Sequence, residues 1–156
     1  MPVDALTQII IPVDGSEHAR HAAAFGGGLA APLGVPVVLV YAFPKSPSEL
    51  LGLMGFSSVP SSGLHLTEQD IERTLSHASR HAFDSARSDL TDRGVEVHEE
   101  VIRGAPAEAI VEFAASRQPT MIVMGTRGLS PVKEMLLGSI SERVMRNAPC
   151  PVTLVR

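Results

Sequence analysis

Two rhythms alternate along the chain. Short runs dense in branched apolar residues have the look of strands buried on both faces, and segments with helical spacing follow them. The first run is TQIIIPV, residues 7–13, with Pro12 placed where a strand can end without losing a ladder bond. Asp14-Gly15-Ser16 breaks it. Ser16 suits a helix cap, and Ala19, Ala22, Ala23, Leu29 and Leu33 recur at helical intervals. VPVVLVY, residues 35–41, predicts a central second strand closed by Ala42-Phe43-Pro44. Thr67, with Asp70 three positions on, predicts a capped helix whose stripe runs Ile71, Leu75, Ala78, Ala82, Ala86, Leu90 to about residue 91. Gly94 is expected to end that helix.

Residues 95–102 alternate and then turn apolar, as a third strand near a sheet edge would. After Arg103-Gly104-Ala105, Pro106 opens a helix through Ala107, Ile110, Val111 and Ala114. Residues 120–125 predict a fourth strand, Ser139 to about Asn147 a last helix, and Val152–Val155 a short final strand. Strands alternating with helices predict an α/β protein: one domain, residues 1–156, built on a five-stranded parallel sheet with helices on both faces. Only residues 43–66 resist this scheme. They are rich in proline and glycine, yet LLGLMGF within them is too apolar for a plain linker. A packed irregular loop and a lid over a site are both open readings.

Composition narrows the function. Apolar residues make up 44% and charged residues 19%, with net charge −4. The acidic and basic residues are interspersed, and there is one Tyr and no Trp, so no basic stripe or aromatic platform offers a nucleic-acid surface. No apolar stretch approaches the ~20 residues of a membrane span, and MPVDALTQIII lacks the basic start of a secretory signal. No membrane insertion and a cytoplasmic location are the expectations. The single Cys150 cannot form an internal disulfide and is expected to pack as a small hydrophobe.

The candidate chemistry lies between Thr120 and Ile140, TMIVMGTRGLSPVKEMLLGSI. Gly125 stops the strand, Gly128 follows two residues later, and Gly138-Ser139 opens a helix after nine more. Glycines let backbone N–H groups approach an anion, and a helix start adds unpaired donors and the positive end of its dipole. Ser139 can cap the helix or donate to a phosphate oxygen, and Arg127 or Lys133 can add charge-assisted contacts. Two other patterns are decoys. Gly26 to Ala31 fits a dinucleotide fingerprint, but it lies inside a helix rather than after a strand, so close packing is the better use of its glycines. His77 and His81 are four apart on a helix, but no third His or Cys completes a metal set, and they point away from the apolar stripe.

The spacing G-x2-G-x9-G-S resembles the ATP-binding signature of universal stress proteins, and the resemblance extends from IIIPVDGS to APCPVTLVR. It implies the strand order 3-2-1-4-5, which sets strands 1 and 4 side by side at the switch point where ligands bind. It also implies ATP as ligand, with ADP or AMP as alternatives, and Mg²⁺ arriving on the phosphates. Gly125, Gly128, Gly138 and Ser139, with Ile140 beside them, would surround the triphosphate. Arg127 would lean over ribose or phosphates, and Pro12, Val40 and Met124 would line the adenine slot. Asp14 would contact the nucleotide, whether through ribose, metal-bound water or by holding backbone; as a bare residue it also suits a turn. Gly104 is a structural turn residue that could line the pocket. A homodimer through residues 152–155 and an unidentified client protein follow from the same likeness.

No Walker, ATP-pyrophosphatase or kinase residue set is present. Lys133 and Glu134 show no arrangement for activating water, so ATP binding with negligible or slow hydrolysis is expected, a slow hydrolase or phosphotransferase being the alternative.

Overall fold

The computed structural model describes residues 5–46, 67–128 and 137–156. Five strands, β1 (Gln8–Pro12), β2 (Val37–Phe43), β3 (Val97–Arg103), β4 (Thr120–Gly125) and β5 (Val152–Val155), form one sheet in the order β3-β2-β1-β4-β5. Every neighbouring pair is parallel. The order expected from the resemblance is the one found.

The strand period of two explains the layers. Ile9 and Ile11 point to one face, where Leu39, Val123 and Ala22 close a core beneath α1 (Glu17–Leu33) and α2 (Glu68–Arg87). Ile10 points to the other, against Val38, Ile122 and Val144, beneath α3 (Pro106–Ala115) and α4 (Ser139–Asn147). All three isoleucines are fully buried, each contributing about 2–3 kcal/mol of transfer free energy. That is why β1 holds the centre and its carboxyl end lies at the middle of the molecule.

Helix starts follow their capping residues. The Ala19 amide donates to Ser16 Oγ at 3.2 Å. Thr67 and Asp70 form a complete capping box: the Asp70 amide donates to Thr67 Oγ1, and the Thr67 amide to Asp70 Oδ2, both at 3.1 Å. Gly26 and Gly27 are packing glycines. A Cβ on Gly26 would fall 2.5 Å from Ile11 Cδ1, and one on Gly27 would run into a Leu90 methyl.

The bounds of β2 and α2 differ from the sequence reading, β3 runs Val97–Arg103 rather than 95–102, and β1 is one residue shorter at each end than 7–13. β2 starts at Val37 rather than Val35, because Pro36 has no N–H to donate, and it runs on to Phe43 through pairing with β3. α2 ends at Arg87, well before Gly94. There the chain tightens into a 3-10 turn at Thr91–Arg93, with the Leu90 amide donating to Arg87 O at 3.0 Å. Burial of Leu90 against Gly27 outweighs the helical stripe, and Gly94, at φ 64°, closes this turn instead. The loop reading for 43–66 falls largely on residues 47–66, outside the described residues, as do Lys133 and Glu134.

Candidate functional site

The carboxyl ends of β1, β2 and β4 meet the amino ends of α1, α3 and α4 around a cavity of about 310 Å³. This is the switch point of the sheet, where the connections from β1 and β4 diverge to opposite faces. The ten candidate residues all line it. Pro12, Asp14 and Val40 come from the β1 and β2 ends; Met124, Gly125, Arg127 and Gly128 from the end of β4; Gly138, Ser139 and Ile140 from the start of α4.

Local bonding brings the two halves of the glycine stretch together. The Thr126 amide donates to Val155 O at 2.9 Å, continuing the sheet past the last β4 residue. The Thr126 carbonyl then receives the Gly138 amide at 2.7 Å and the Ser141 hydroxyl at 2.9 Å. Ser141 Oγ also reaches Gly138 O at 2.9 Å. The N-cap of α4 is therefore Gly138, and no side chain caps its first turn. Ser139 is the first helical residue and is exposed, so of its two readings, helix cap or hydroxyl donor to a phosphate, the cap is not met. The consequence is a helix amino end with its leading amides directed to a cavity and no side-chain acceptor on them, an arrangement that favours an anion.

Gly125 brings backbone to a place where a side chain would not fit, and Gly128 lies against the tip of the Asp14 side chain. A Cβ at Gly125 would lie 2.8 Å from the His18 carbonyl carbon, so β4 and the start of α1 touch through backbone. A Cβ at Gly128 would lie 2.5 Å from Asp14 Oδ2. The other Asp14 oxygen accepts the Ser16 amide at 2.9 Å. Asp14 thus fixes the turn after β1, in which Gly15 sits at φ 84°, and its Oδ2 faces Gly128 of the glycine stretch.

Among the described residues Arg127 is half-buried without a carboxylate in ion-pair range, a cation left for a ligand. The Val40 carbonyl accepts the Val13 amide at 2.9 Å, so Val40 is held in the sheet while the cavity wall continues through Tyr41 and Ala42. Burial raises the Tyr41 phenol pKa, and the Asp14 charge adds to the effect. Gly104 does not line the cavity. It is buried at φ 139°, its amide donating to Phe43 O at 2.9 Å. Its place in the turn is taken at the cavity by Pro106 and Ile110, which the sequence reading missed. No local motif marks them; only the return of α3 across β2 brings them there.

No group of three or more His, Cys, Asp or Glu converges on a metal position among the described residues, and His77 and His81 are exposed. Nor is any described helix long and apolar enough to cross a membrane.

Fold and cavity together define a doubly wound α/β protein with an anion-suited cleft at its switch point. Its relatives make the class specific. The profile of the Universal stress protein family matches residues 6–156, and the chain belongs to that family. Universal stress protein MJ0531 of Methanocaldococcus jannaschii is 34% identical over 149 residues, covering 96% of this chain and 81% of the relative. A universal stress protein of Thermus aquaticus is also 34% identical, covering 95% and 97%. Among solved structures, protein MJ0577 superposes with TM-score 0.75 at 25% identity, covering 97% of this chain and 96% of that one. Two further universal stress proteins share the fold. One, in complex with cAMP, has TM-score 0.65 at 23% identity; the other, from Archaeoglobus fulgidus in complex with dAMP, has 0.67 at 22%. Each of these covers 97% of this chain, and they cover 98% and 99% of themselves.

Proposed function

We propose that this chain is a single-domain, ATP-binding module of the stress response, working in the cytoplasm, whose nucleotide state governs association with a client protein. The uncapped start of α4 carries the reading, because it faces a cavity walled by Gly125 and Gly128 with Arg127 free beside it. The cAMP and dAMP complexes of the two relatives support an adenine nucleotide as its occupant. In this reading the base enters the apolar slot of Pro12, Val40 and Met124. The phosphates meet the amides of Gly128, Ser139 and Ile140, with Arg127 above them. Three charge-assisted hydrogen bonds at ~1.5–3 kcal/mol each suffice for micromolar binding after association costs. ADP and AMP fit the same donors with fewer contacts.

Mg²⁺ would arrive with the nucleotide and be held mainly by phosphate oxygens. Asp14 is the single carboxylate lining the cavity among the described residues, and one of its oxygens is already engaged by the Ser16 amide. With one carboxylate at the cavity and no second acid or base beside it among the described residues, our reading is that the module binds ATP with negligible or slow turnover. β5 lies at a sheet edge with its residues partly exposed, and pairing with β5 of a second copy would cover its ladder groups in a homodimer.

The test is mass analysis of nucleotide retained through purification. ATP or ADP should co-purify, and Gly128→Val with Ser139→Ala should remove it while the circular dichroism of the fold is kept. Full occupancy in that double variant would refute the site. Turnover at ordinary enzymatic rates, about 1 s⁻¹ or more, would refute the binding-module reading.

A further inference from the structure

The two edges of the sheet are unequal. β5 offers four residues, whereas β3 offers seven, without a proline, and among the described residues no strand lies on its outer side. The inner side of β3 is taken by β2: the Val37 amide donates to Glu96 O and the Gly104 amide to Phe43 O, both at 2.9 Å. Successive residues of a strand turn their bonding groups to alternate sides, so the even-numbered residues of β3 serve β2. Val97, Glu99, Val101 and Arg103 are left with N–H and C=O groups aimed outward, a template for one more strand. Their side chains share the face toward α2. Glu99 bonds Arg87 through Oε1 and Arg103 bonds Glu72 through Nη2, which leaves each with further oxygen or N–H capacity. Between them Val101 is 41% exposed.

The order of these side chains selects the occupant. A strand added antiparallel sets outward residues opposite outward residues. When the added strand is β3 of a second copy, the register centred on Val101 places Val101 against its own counterpart and Glu99 against Arg103 on both sides of it. Each of these three pairs exchanges two main-chain bonds, about six in all. Both cross-strand charge pairs are attractive, and the exposed valines cover one another. The next register on one side sets Glu100 against Glu100; on the other, Val101 meets Arg103 and Glu99 loses its cation. We propose that the β3 edge is a self-pairing surface, joining two copies of this chain antiparallel about a two-fold axis at Val101. The pairing is independent of the nucleotide reading and of any pairing at β5, which lies on the opposite edge of the sheet.

Cysteine crosslinking of the full chain, in a Cys150→Ser background, tests the register. Opposed Cα atoms of a bonded antiparallel pair lie about 5.5 Å apart, within disulfide reach. Val101→Cys should therefore oxidise to a covalent dimer. Glu99→Cys alone should stay uncrosslinked, because its counterpart lies about 13 Å away along the ladder. Mixed with Arg103→Cys, it should crosslink. In sedimentation velocity, Val101→Lys should weaken self-association of the otherwise unaltered chain about tenfold, with two like charges facing each other in place of two valines, while the melting temperature is kept. Val101→Cys that stays a single chain, or that crosslinks no faster than Glu99→Cys, would overturn the pairing. So would self-association unchanged by Val101→Lys, which would place the contact on another surface, or a parent chain that stays monomeric at every concentration.

Discussion

The amide of Gly138 donates to the carbonyl of Thr126 across 2.7 Å, joining the end of β4 to the cap of α4 although eleven residues separate them in the chain. This bond sets the distance between the two halves of the glycine stretch. It also leaves the following amides of α4 to face the cavity.

Ser141 reinforces that junction from below. Its hydroxyl is within 2.9 Å of both Thr126 O and Gly138 O, and the residue is buried. Ser141→Ala removes this shared donor but leaves the Gly138 bond to Thr126, so the loss should be moderate: about 1 kcal/mol in urea denaturation. Nucleotide affinity should fall with it, since the cap would no longer be held at one distance. An unchanged midpoint and unchanged affinity would show that the Gly138 amide alone holds the junction.

Gly125 is the position least tolerant of any side chain. The atoms that a Cβ would meet at 2.8–2.9 Å include the carbonyl carbon and oxygen of His18, and backbone cannot rotate aside as a side-chain tip can. Gly125→Ala should therefore push the start of α1 from β4 and cost about 1–3 kcal/mol, the usual range for overpacking. Thermal denaturation of the variant would measure it. A melting temperature equal to that of the parent chain would mean that α1 shifts freely over the sheet.

The glycine stretch was legible because its chemistry is local: three glycines and a helix start announce backbone approach to an anion whatever surrounds them. Periodicity placed β4, β5 and α4 within a residue, since glycine or proline punctuates their ends: Gly125 closes β4, Gly138 precedes α4 and Pro151 precedes β5. The errors arose where a distant contact outweighed local pattern. Leu90 continues the stripe of α2 but is drawn from the helix by the space above Gly27, and so Gly94 closes a 3-10 turn. Tyr41 and Ile110 reach the cavity through register and crossover, which neither residue nor its neighbours encode. Ser139 looked like a cap by type, but the backbone selects Gly138.

The capping box of α2 carries a pH dependence of definite sign. Bonds from the Thr67 hydroxyl and amide hold the Asp70 carboxyl below its ordinary value of 3.8. A depressed folded value means that the charged box stabilises the helix above pH 3.8 and that its contribution is lost as pH falls through the folded value. The melting temperature of the parent chain should exceed that of Asp70→Ala near neutral pH, with the gap closing as pH falls below 3.8. A gap that stays constant into acid would assign the effect to helix propensity rather than to the charged cap.

Gly128 and Asp14 separate the demands of folding from those of binding. A methyl group on Gly128 would fall 2.5 Å from Asp14 Oδ2, but that atom is the free end of a side chain and Gly128 is exposed, so the carboxylate can turn away at small cost. Gly128→Ala should change stability by less than about 0.5 kcal/mol. Turning Asp14 breaks its bond to the Ser16 amide or fills the space above the glycine stretch, and either result works against a nucleotide. Affinity for ATP should therefore fall about tenfold in Gly128→Ala. Asp14→Ala removes the atom that the methyl meets, so adding Gly128→Ala on that background should cost little further affinity. A double-mutant cycle by calorimetry reads this directly. Additive losses would mean that Gly128 acts through its own backbone against the phosphates and not through Asp14.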